Sequence, residues 1–277
     1  MAPSKKAEST WATSAAIGAM AGAASKTAVA PIERIRLLLQ MQTQAHSSSS
    51  FNAVVGKEGL SGLWRGNGLA VLRAMAQKGL LFSTQDHVRV SLGSDMTAGA
   101  IAGLTASGLT YPLDLLRTRH AGKVGSSPLL AVAREAIVAG GPLALWRGAS
   151  ATLVGGVVYE GARFGTFGWL QRSSPKEKPS FLLGGVDFGP AVNGTLASLV
   201  AGNLIYPNDT VRRRLQTVAA GHESYLQATQ ALLQEGGIAR LYRGFLLYNI
   251  KVAPSAAIQF FTYHELKRLY KVYSSSN

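Results

Sequence analysis

Three short stretches of the sequence place a proline, an acid and a base at the same spacing. Each has an acid two residues after the proline and an arginine five residues after it, and the prolines are Pro31, Pro112 and Pro207. On a single helix, an acid and a base three residues apart form only a weak local pair. Where three proline-kinked helices converge, the same charges can pair between helices instead. We call the six residues the charged ring: Glu33, Arg36, Asp114, Arg117, Asp209 and Arg212.

A second motif shows that these stretches belong to tandem repeats. An aromatic residue followed by Arg-Gly occurs at Trp64, Trp146 and Tyr242. These aromatic anchors are 82 and 96 residues apart, and the three prolines are 81 and 95 residues apart. Two motifs that keep step with each other three times indicate a threefold repeat, because chance matches would not share a register.

Composition indicates what the repeats build. Hydrophobic residues make up 47% of the chain and charged residues only 15%, yet the net charge is +14. Soluble domains usually have about 25% charged residues. A nucleic-acid-binding protein clusters its bases on one patch with interleaved aromatic residues, whereas here they recur in loops between long apolar stretches. We therefore predict an integral membrane protein.

Each repeat is predicted to hold two membrane helices, which makes the fold class all-α with six transmembrane helices. A spanning helix needs about 20 residues, and hydropathy undercounts these spans because proline, glycine or single charges interrupt them. Small residues four apart in the first helix of each repeat, such as Gly18 and Gly22, predict close helix packing. The spans are predicted near 11–40, 67–90, 94–120, 148–171, 187–216 and 247–271.

The repeats are predicted to form one domain, residues 1–277, rather than separate units. Residues 173–180, before the third repeat, have the polar composition of a linker. The chain has no cysteine, which excludes disulfides and cysteine-ligated metals. Its first residues lack the apolar core of a signal peptide. The predicted repeats are 11–92, 93–172 and 181–271.

If the charged ring lies within the membrane, its acids and bases must pair with one another. A carboxylate at membrane depth is costly by itself and needs a cationic partner. If each acid pairs with the base of another repeat, all six charges are satisfied. The predicted pairs are Glu33–Arg117, Asp114–Arg212 and Asp209–Arg36.

The tripled motifs, which cover nearly the whole chain, resemble those of the mitochondrial carrier family. The stretch 25–40 is most similar to ADP/ATP carriers, and Lys251-Val-Ala-Pro254 is similar to the carriers for coenzyme A and for ATP-Mg. The chain departs from ADP/ATP carriers at Arg212-Arg-Arg-Leu-Gln-Thr217, where those carriers have three arginines followed by three methionines. The resemblance implies a threefold pseudosymmetric barrel with short matrix helices and a central substrate site, opened alternately by two gates.

Within the family the charged ring is the gate on the matrix side. Gln40 and Gln216 match the glutamines that brace this gate, whereas repeat two has Ala121 at that position. The opposite gate has an acid and a base 22 and 25 residues after each aromatic anchor. In this chain the residues there leave no acid–base pair, so we expect a degenerate gate. These six positions, called the opposite ring below, hold Asp86, Arg89, Gly168, Gln171, His264 and Lys267.

The substrate level of the family lies nine residues after each aromatic anchor. These three substrate-level positions hold Arg73, Gly155 and Lys251. Two bases and a glycine suggest an anionic ligand with a flat or bulky part beside the glycine. The resemblance adds Gly156 and Lys26 to the expected substrate-binding residues, and Tyr159 is a candidate for an aromatic wall of the site.

No constellation of residues indicates an enzyme, a metal site or a bound cofactor. The five histidines have no metal-binding spacing, and no glycine-rich phosphate loop follows a strand. Gly66, Gly148 and Gly244 open helices, whose free N–H groups attract phosphates. The family uses these helix starts to bind cardiolipin as a structural lipid, although a glycine there is also typical of an ordinary turn.

Two functions remain open from the sequence. The first is exchange of anionic, adenine-nucleotide-like metabolites by a monomer in the mitochondrial inner membrane. The second is a structural role as a subunit of a larger respiratory assembly, which the degenerate opposite ring favours. The long loops hold 14 of the 28 lysines and arginines and the other side nine, so both termini are predicted to face the intermembrane space.

Overall fold

Six long helices and three short ones account for most of the described chain. The computed structural model describes residues 5–41, 47–92, 95–125, 128–173, 182–183, 186–187, 189–217 and 224–276. The long helices are α1 (Lys5–Met41), α3 (Asn67–Leu92), α4 (Asp95–Ala121), α6 (Ala149–Ser173), α7 (Gly189–Thr217) and α9 (Phe245–Ser276). The short helices are α2 (Ser47–Glu58), α5 (Leu129–Val138) and α8 (Tyr225–Leu241), and 3₁₀ turns cover Leu60–Trp64 and Pro142–Trp146.

The all-α class is confirmed, with one small addition that the sequence did not predict. Strands β1 (Leu182–Leu183) and β2 (Val186–Asp187) pair antiparallel ahead of α7. The six predicted spans correspond to the six long helices, and α1 and α9 are longer than predicted. Composition locates only the apolar stretch of a helix. The polar residues at the ends of α1 and α9 continue the helical hydrogen-bond pattern beyond that stretch.

The three prolines lie inside helices rather than at their ends. Pro31, Pro112 and Pro207 are internal to α1, α4 and α7. A proline in a helix interior lacks the backbone N–H donor and kinks the helix. The helix portions after the prolines contact one another among α1, α4 and α7, and these portions carry the charged ring.

The long helices close into a ring through contacts between repeats. The second long helix of each repeat packs against the first of the next, so that α3 contacts α4, α6 contacts α7, and α9 returns to α1. Each repeat alone could not bury its apolar faces. The closed threefold arrangement therefore follows from the tandem repetition.

Three small hydrophobic cores hold the short helices against the ring. Val54 of α2 packs on α1, Ala136 of α5 packs on α4, and Leu232 of α8 packs on α7. Leu38 and Leu115 lie in the first and second of these cores and have no exposed surface. Each short helix therefore braces the portion of the long helix that follows the proline.

The tryptophan anchors connect the two halves of repeats one and two. The indole N–H groups of Trp64 and Trp146 donate to the backbone carbonyls of Thr27, at 2.8 Å, and Gly108, at 2.9 Å. Both carbonyls lie four residues before the proline, where the missing proline N–H leaves a helical acceptor without its partner. In repeats one and two, the anchor tryptophan therefore supplies the hydrogen bond that the proline cannot donate, which ties the two motifs together.

Hydropathy alone does not identify the long helices as membrane spans. Across the described residues, no single helix is apolar and long enough to qualify as a membrane span. The helices Leu129–Val138 and Pro142–Ser173 are long and apolar enough only when they are taken together, and a bend of 112° separates them.

The small residues do not all support close packing as predicted. A Cβ on Gly18 or Gly22 would meet no described atom within 4 Å. Gly18 instead borders a cavity of about 240 Å³ that lies between α1, α7 and α9. At Gly202, by contrast, a Cβ would collide with the ring of Tyr248, so that glycine does permit a close approach of α7 and α9.

Candidate substrate site and charged ring

The structure brings together all three pairs expected in the charged ring. Arg36 contacts Asp209, and Arg212 contacts Asp114. The third pair is longer, with 4.0 Å between Arg117 Nη2 and Glu33 Oε1. The bases are only partly exposed, and Asp114 has no exposed surface at all. The three convergent helices are therefore joined by ion pairs in a mostly buried setting.

Two glutamines strengthen two of the three pairs. Gln216 Nε2 donates to Asp114 Oδ2 at 2.9 Å, and Gln40 Nε2 donates to Asp209 Oδ2 at 3.3 Å. The third pair lacks such a brace because repeat two has Ala121. A cavity of about 20 Å³ borders Ala121, Glu33 and Arg117, which is room for about one water molecule. The unbraced pair is also the longest of the three.

The charged ring contains a base that sequence reasoning missed. Arg213 lies 3.8 Å from a carboxylate oxygen of Asp114 and 3.7 Å from one of Asp209. It also donates to Thr118 Oγ1 at 2.7 Å. The run of three arginines at 212–214 was the available signal, but spacing from the proline pointed only to the first of them.

The two substrate-level bases contact the acids of the charged ring. Arg73 Nη1 is 3.2 Å from Asp114 Oδ1, and Lys251 Nζ donates to Glu33 Oε2. Each base therefore reaches from the second long helix of one repeat to the acid on the first long helix of the next. The expected ring of separate pairs is instead a network, because substrate-level positions and ring acids are neighbours across this helix interface.

At the third substrate-level position, an amide takes the place of a base. A Cβ on Gly155 would collide with the Asn208 side chain. Asn208 Nδ2 donates to the Ala151 carbonyl at 3.1 Å, and the Tyr225 hydroxyl donates to Asn208 Oδ1 at 3.0 Å. The expectation that Gly155 leaves room for a bulky ligand group is therefore wrong for this conformation, since the Asn208 amide fills that space.

The other expected substrate-binding residues differ in how far they are buried. Lys26 is partly buried and within electrostatic range of Glu33, Arg73 and Arg117, and it forms no ion pair with any described residue. Tyr159 is partly buried. Gly156 is exposed, and a Cβ there would meet no described atom within 4 Å. Lys26 therefore joins the positive site, whereas Gly156 makes no contact that supports its expected role.

Positive charge outweighs negative charge around the ring. Six bases lie within 4.0 Å of the three ring carboxylates, and each carboxylate contacts three of the bases. Aromatic faces lie against two of these cations, since Arg36 and Lys251 are 5.0 and 5.3 Å from the Tyr248 ring centroid. A partly buried surplus of cations is suited to holding an anion.

The opposite ring has no comparable network among its described members. His264 contacts the ring of Phe260, and Lys267 lies 5.7 Å from the ring centroid of Tyr263. Gln171 is exposed, and the nearest atom to a Cβ on Gly168 would be an Arg172 nitrogen at 4.0 Å. The side chains of Asp86 and Arg89 lie outside the described residues.

The three glycines of the aromatic anchors have structural reasons of their own. Gly66, Gly148 and Gly244 have φ values of 81°, 81° and 83°, a left-handed conformation that favours glycine. A Cβ on them would lie 3.0 Å from Ala121 Cβ, 2.9 Å from Tyr111 Oη and 3.1 Å from Tyr206 Oη, respectively. The turn alone therefore requires glycine at these positions.

A second charged network joins the short helices to the ends of the long ones. Arg34 makes a two-pronged contact to Glu58, with distances of 2.8 and 2.9 Å, and Arg65 Nη1 is 3.1 Å from Glu58 Oε1. The Gly125 N–H donates to the same oxygen at 2.6 Å. Burial would raise the pKa of Glu58, but these hydrogen bonds and positive charges lower it below the usual range.

No metal centre accompanies these networks in the part of the chain that is described. There, no group of three or more His, Cys, Asp or Glu residues is placed to hold a metal ion.

The fold and site together define a carrier-type membrane transporter built from three repeats around a central charged network. The profile of the mitochondrial carrier protein family matches residues 7–94, 88–178 and 188–274. The chain belongs to this family, which confirms the resemblance deduced from its motifs. Members of the family are transporters, so the chain is a solute transporter rather than an enzyme. The family also indicates a multi-pass protein of the mitochondrial inner membrane.

Relatives of this chain differ in the solutes that their names state. The chain is 32% identical to mitochondrial substrate carrier family protein P of Dictyostelium discoideum, over 96% of this chain and 97% of that one. It is 31% identical to the probable envelope ADP,ATP carrier protein, chloroplastic, of Arabidopsis thaliana, over 92% and 70%. It is 32% identical to mitochondrial thiamine pyrophosphate carrier 1 of Aspergillus terreus, over 91% and 90%.

Proposed function

We propose that the chain exchanges anionic, phosphate-bearing metabolites of the adenine-nucleotide type by alternating access. The observation that carries this proposal is the cation surplus: six bases share three carboxylates, and Lys26 adds a further positive charge beside them. A surplus of buried charge is costly unless a ligand uses it. The names of two relatives support the chemistry, since ADP, ATP and thiamine pyrophosphate all contain a pyrophosphate group.

The substrate site that we propose is built around Arg73 and Lys251, with Lys26 and Tyr159 at its edge. Arg73 and Lys251 lie on α3 and α9 and can reach a common anion from two sides. The charged ring, braced by Gln40 and Gln216, then acts as the matrix-side gate, which is closed in this conformation. Gly155 contributes to the helix interface through Asn208. It therefore has no direct ligand contact in the closed state.

Transport assays can test this function directly. The full chain would be reconstituted in liposomes and assayed for uptake of ADP, thiamine pyrophosphate, coenzyme A and a neutral solute. Uptake of a phosphate-bearing anion should require an exchangeable solute inside. Arg73→Ala and Lys251→Ala should each reduce it about tenfold or more, because each removes a charged hydrogen-bond donor. The exposed Lys57→Ala serves as a matched lysine control. Uptake of only the neutral solute, unchanged in both variants, would refute the proposal.

A structural role in a larger assembly is the alternative, which the described part of the opposite ring favours. Gly168, Gln171, His264 and Lys267 form no ion pair with one another. In that case the protein would co-purify in fixed stoichiometry with a respiratory complex and show no uptake of any anion. A transporter would run alone as a monomer.

We also propose that cardiolipin binds at the helix starts of α3, α6 and α9, with both termini facing the intermembrane space. The helix N-termini after Gly66, Gly148 and Gly244 offer free N–H groups to a lipid phosphate. Native mass spectrometry should show lower cardiolipin occupancy in Gly66→Leu than in Gly59→Leu. Gly59 is the proper control because it also has a positive φ, 72°. Equal occupancy in the two variants would contradict lipid binding at this turn.

A further inference from the structure

The cavity between α1, α7 and α9 lies next to the proposed substrate site. Lys251, Ser255 and Gln259 are four residues apart on α9 and therefore share one face of that helix. Gln259 is exposed and lines the cavity. It lies eight residues from Lys251, which is about 12 Å along the helix axis. A solute held by Lys251 can therefore extend along this face into the cavity.

A polar contact between α1 and α9 marks the end of the cavity that is nearest the charged ring. Ser25 Oγ lies 2.8 Å from Ser255 Oγ, and Ser25 is buried. One and two turns further along α1, away from the charged ring, Ala21 and Gly18 line the cavity. A Cβ on Gly18 would meet no described atom within 4 Å. The small residues of α1 therefore leave the space that a ligand group needs.

Two aromatic side chains of α9, Phe260 and Tyr263, also line the cavity. Both are contacted by residues of the opposite ring. His264 lies against Phe260, with ring centroids 4.3 Å apart, and Lys267 Nζ is 5.7 Å from the Tyr263 ring centroid. Aromatic rings pack favourably against another flat ring, either stacked or edge to face. These two side chains therefore offer an aromatic surface to a ligand in the cavity.

The size and polarity of the cavity suit one ring system rather than a whole nucleotide. Pockets that hold a drug-sized ligand have volumes of about 300–1,000 Å³, and this one is smaller, at about 240 Å³. The Gln259 amide both donates and accepts hydrogen bonds, as the edge of a nitrogen heterocycle does. The position beside Gly155 has no room for such a ring in this conformation, because the Asn208 side chain fills it.

We propose that this cavity binds the planar heteroaromatic ring of the transported solute, while Arg73 and Lys251 hold its phosphate groups. The inference rests on the proposed function, since it divides one elongated anionic solute between the two places. ADP is such a solute, because its ring and its pyrophosphate lie at opposite ends. Gly18, Gln259 and Tyr263 then determine specificity for the ring, whereas the two bases bind any phosphate-bearing anion.

The affinities of the purified full chain for ADP and for inorganic pyrophosphate, measured by titration calorimetry, test the cavity. The wild type should bind ADP about tenfold or more tightly than pyrophosphate, because only ADP has a ring to bury. Gly18→Leu should bring the affinity for ADP close to that for pyrophosphate and leave the latter unchanged, since the new side chain occupies the cavity. Gly161→Leu is the matched control, because Gly161 is exposed on α6 and a Cβ there also meets no described atom within 4 Å.

Gln259→Ala keeps the test decisive if Gly18→Leu does not fold. It should weaken ADP binding about threefold or more, through the lost hydrogen bond, and leave pyrophosphate binding unchanged. Equal wild-type affinities for the two anions, or an affinity for ADP that neither substitution lowers, overturns the cavity as the ring site. Lys251→Ala separates that result from a failure of the proposed function, because its loss of pyrophosphate binding supports the anion site whatever the cavity does. Binding of neither anion by the wild type overturns both.

Photolabelling locates the ring directly. A photoreactive azidoadenine analogue of ADP should label the wild-type peptides of α1 and α9 that contain Gly18 and Gln259, and excess ADP should prevent the labelling. Labelling confined to the α6 peptide that contains Gly155 and Tyr159 would place the ring there instead and overturn the proposal.

Discussion

At the scale of single residues, Asp114 shows how one buried carboxylate of the charged network pairs with several bases. Asp114 is fully buried and contacts Arg73, Arg212 and Arg213. Gln216 adds a neutral hydrogen bond to the same carboxylate. A carboxylate with this many donors remains charged in the interior because the donors replace the water that it has lost. The acid therefore links three long helices, since its partners lie on α3 and α7.

We predict that Gln216→Ala destabilises the protein by about 1–3 kcal/mol. The substitution removes a donor from a fully buried carboxylate and opens a small cavity. Equilibrium or thermal unfolding in detergent would measure the loss. Gln77→Ala is the matched control, because Gln77 donates only to the neutral Ser107 hydroxyl, at 3.3 Å. Equal losses in both variants would show that the brace on Asp114 adds nothing specific.

At the scale of elements, the proline kinks and the short helices depend on each other. The kinks turn α1, α4 and α7 inward, and the short helices pack against the portions that follow. In repeat one Glu58 fastens this arrangement, since it joins the end of α2 to Arg34 on α1 and to Gly125 after α4. Repeats one and two are thereby connected outside the charged ring.

We predict that Glu58→Gln destabilises the protein by about 3–5 kcal/mol, because it leaves the buried Arg34 without its counter-ion. Glu135→Gln, which breaks the exposed pair with Lys123, should cost less than about 1 kcal/mol. Unfolding of both variants in parallel provides the measurement. A smaller loss for Glu58→Gln than for Glu135→Gln would contradict the assignment.

The pH dependence of this contribution follows from the lowered pKa of Glu58. A carboxyl whose pKa is lower in the folded state stabilises the protein above its unfolded pKa, about 4.3. That stabilisation is lost as the pH falls through the lower, folded pKa. The stability gap between wild type and Glu58→Gln should therefore narrow only on strong acidification.

At the scale of the whole molecule, the two ends of the barrel are unequal. The charged ring joins three helices through a network of ion pairs, whereas the described residues of the opposite ring form none between them. A conformational equilibrium responds to contacts that exist in only one of its states. The inequality therefore favours the conformation described here, in which the charged ring is closed.

We predict that Gly168→Asp shifts the population toward the conformation in which the charged ring is open. The new acid can pair with Lys267 when the opposite ring closes, and one partly exposed ion pair of about 1 kcal/mol changes a two-state ratio about fivefold. Because the chain has no cysteine, a single Thr118→Cys introduced beneath the ring can report opening through its rate of thiol labelling. The rate should rise with Gly168→Asp and not with the control Gly168→Asn. An equal rate in the two variants would contradict the prediction.

The sequence by itself determined the repeats, the six long helices, the charged ring and the family. These features depend on spacing along the chain, because a proline kink, an acid two residues on and a base five residues on are local properties. The three pairs of the ring were also predicted: repetition offers each acid an arginine on either of two other repeats, and the resemblance to the family's gate implies which one it meets.

Only the tertiary structure decided which other residues join the network. Arg73 and Lys251 meet ring acids across helix interfaces, Arg213 bridges two carboxylates, and Asn208 fills the space beside Gly155. The buried Arg119 Nη2, which has no hydrogen-bond partner among the described residues, became visible in the same way. These contacts join residues far apart in sequence, and their distances depend on how the helices tilt and approach. No local spacing encodes that geometry, because the packing of the whole ring sets it.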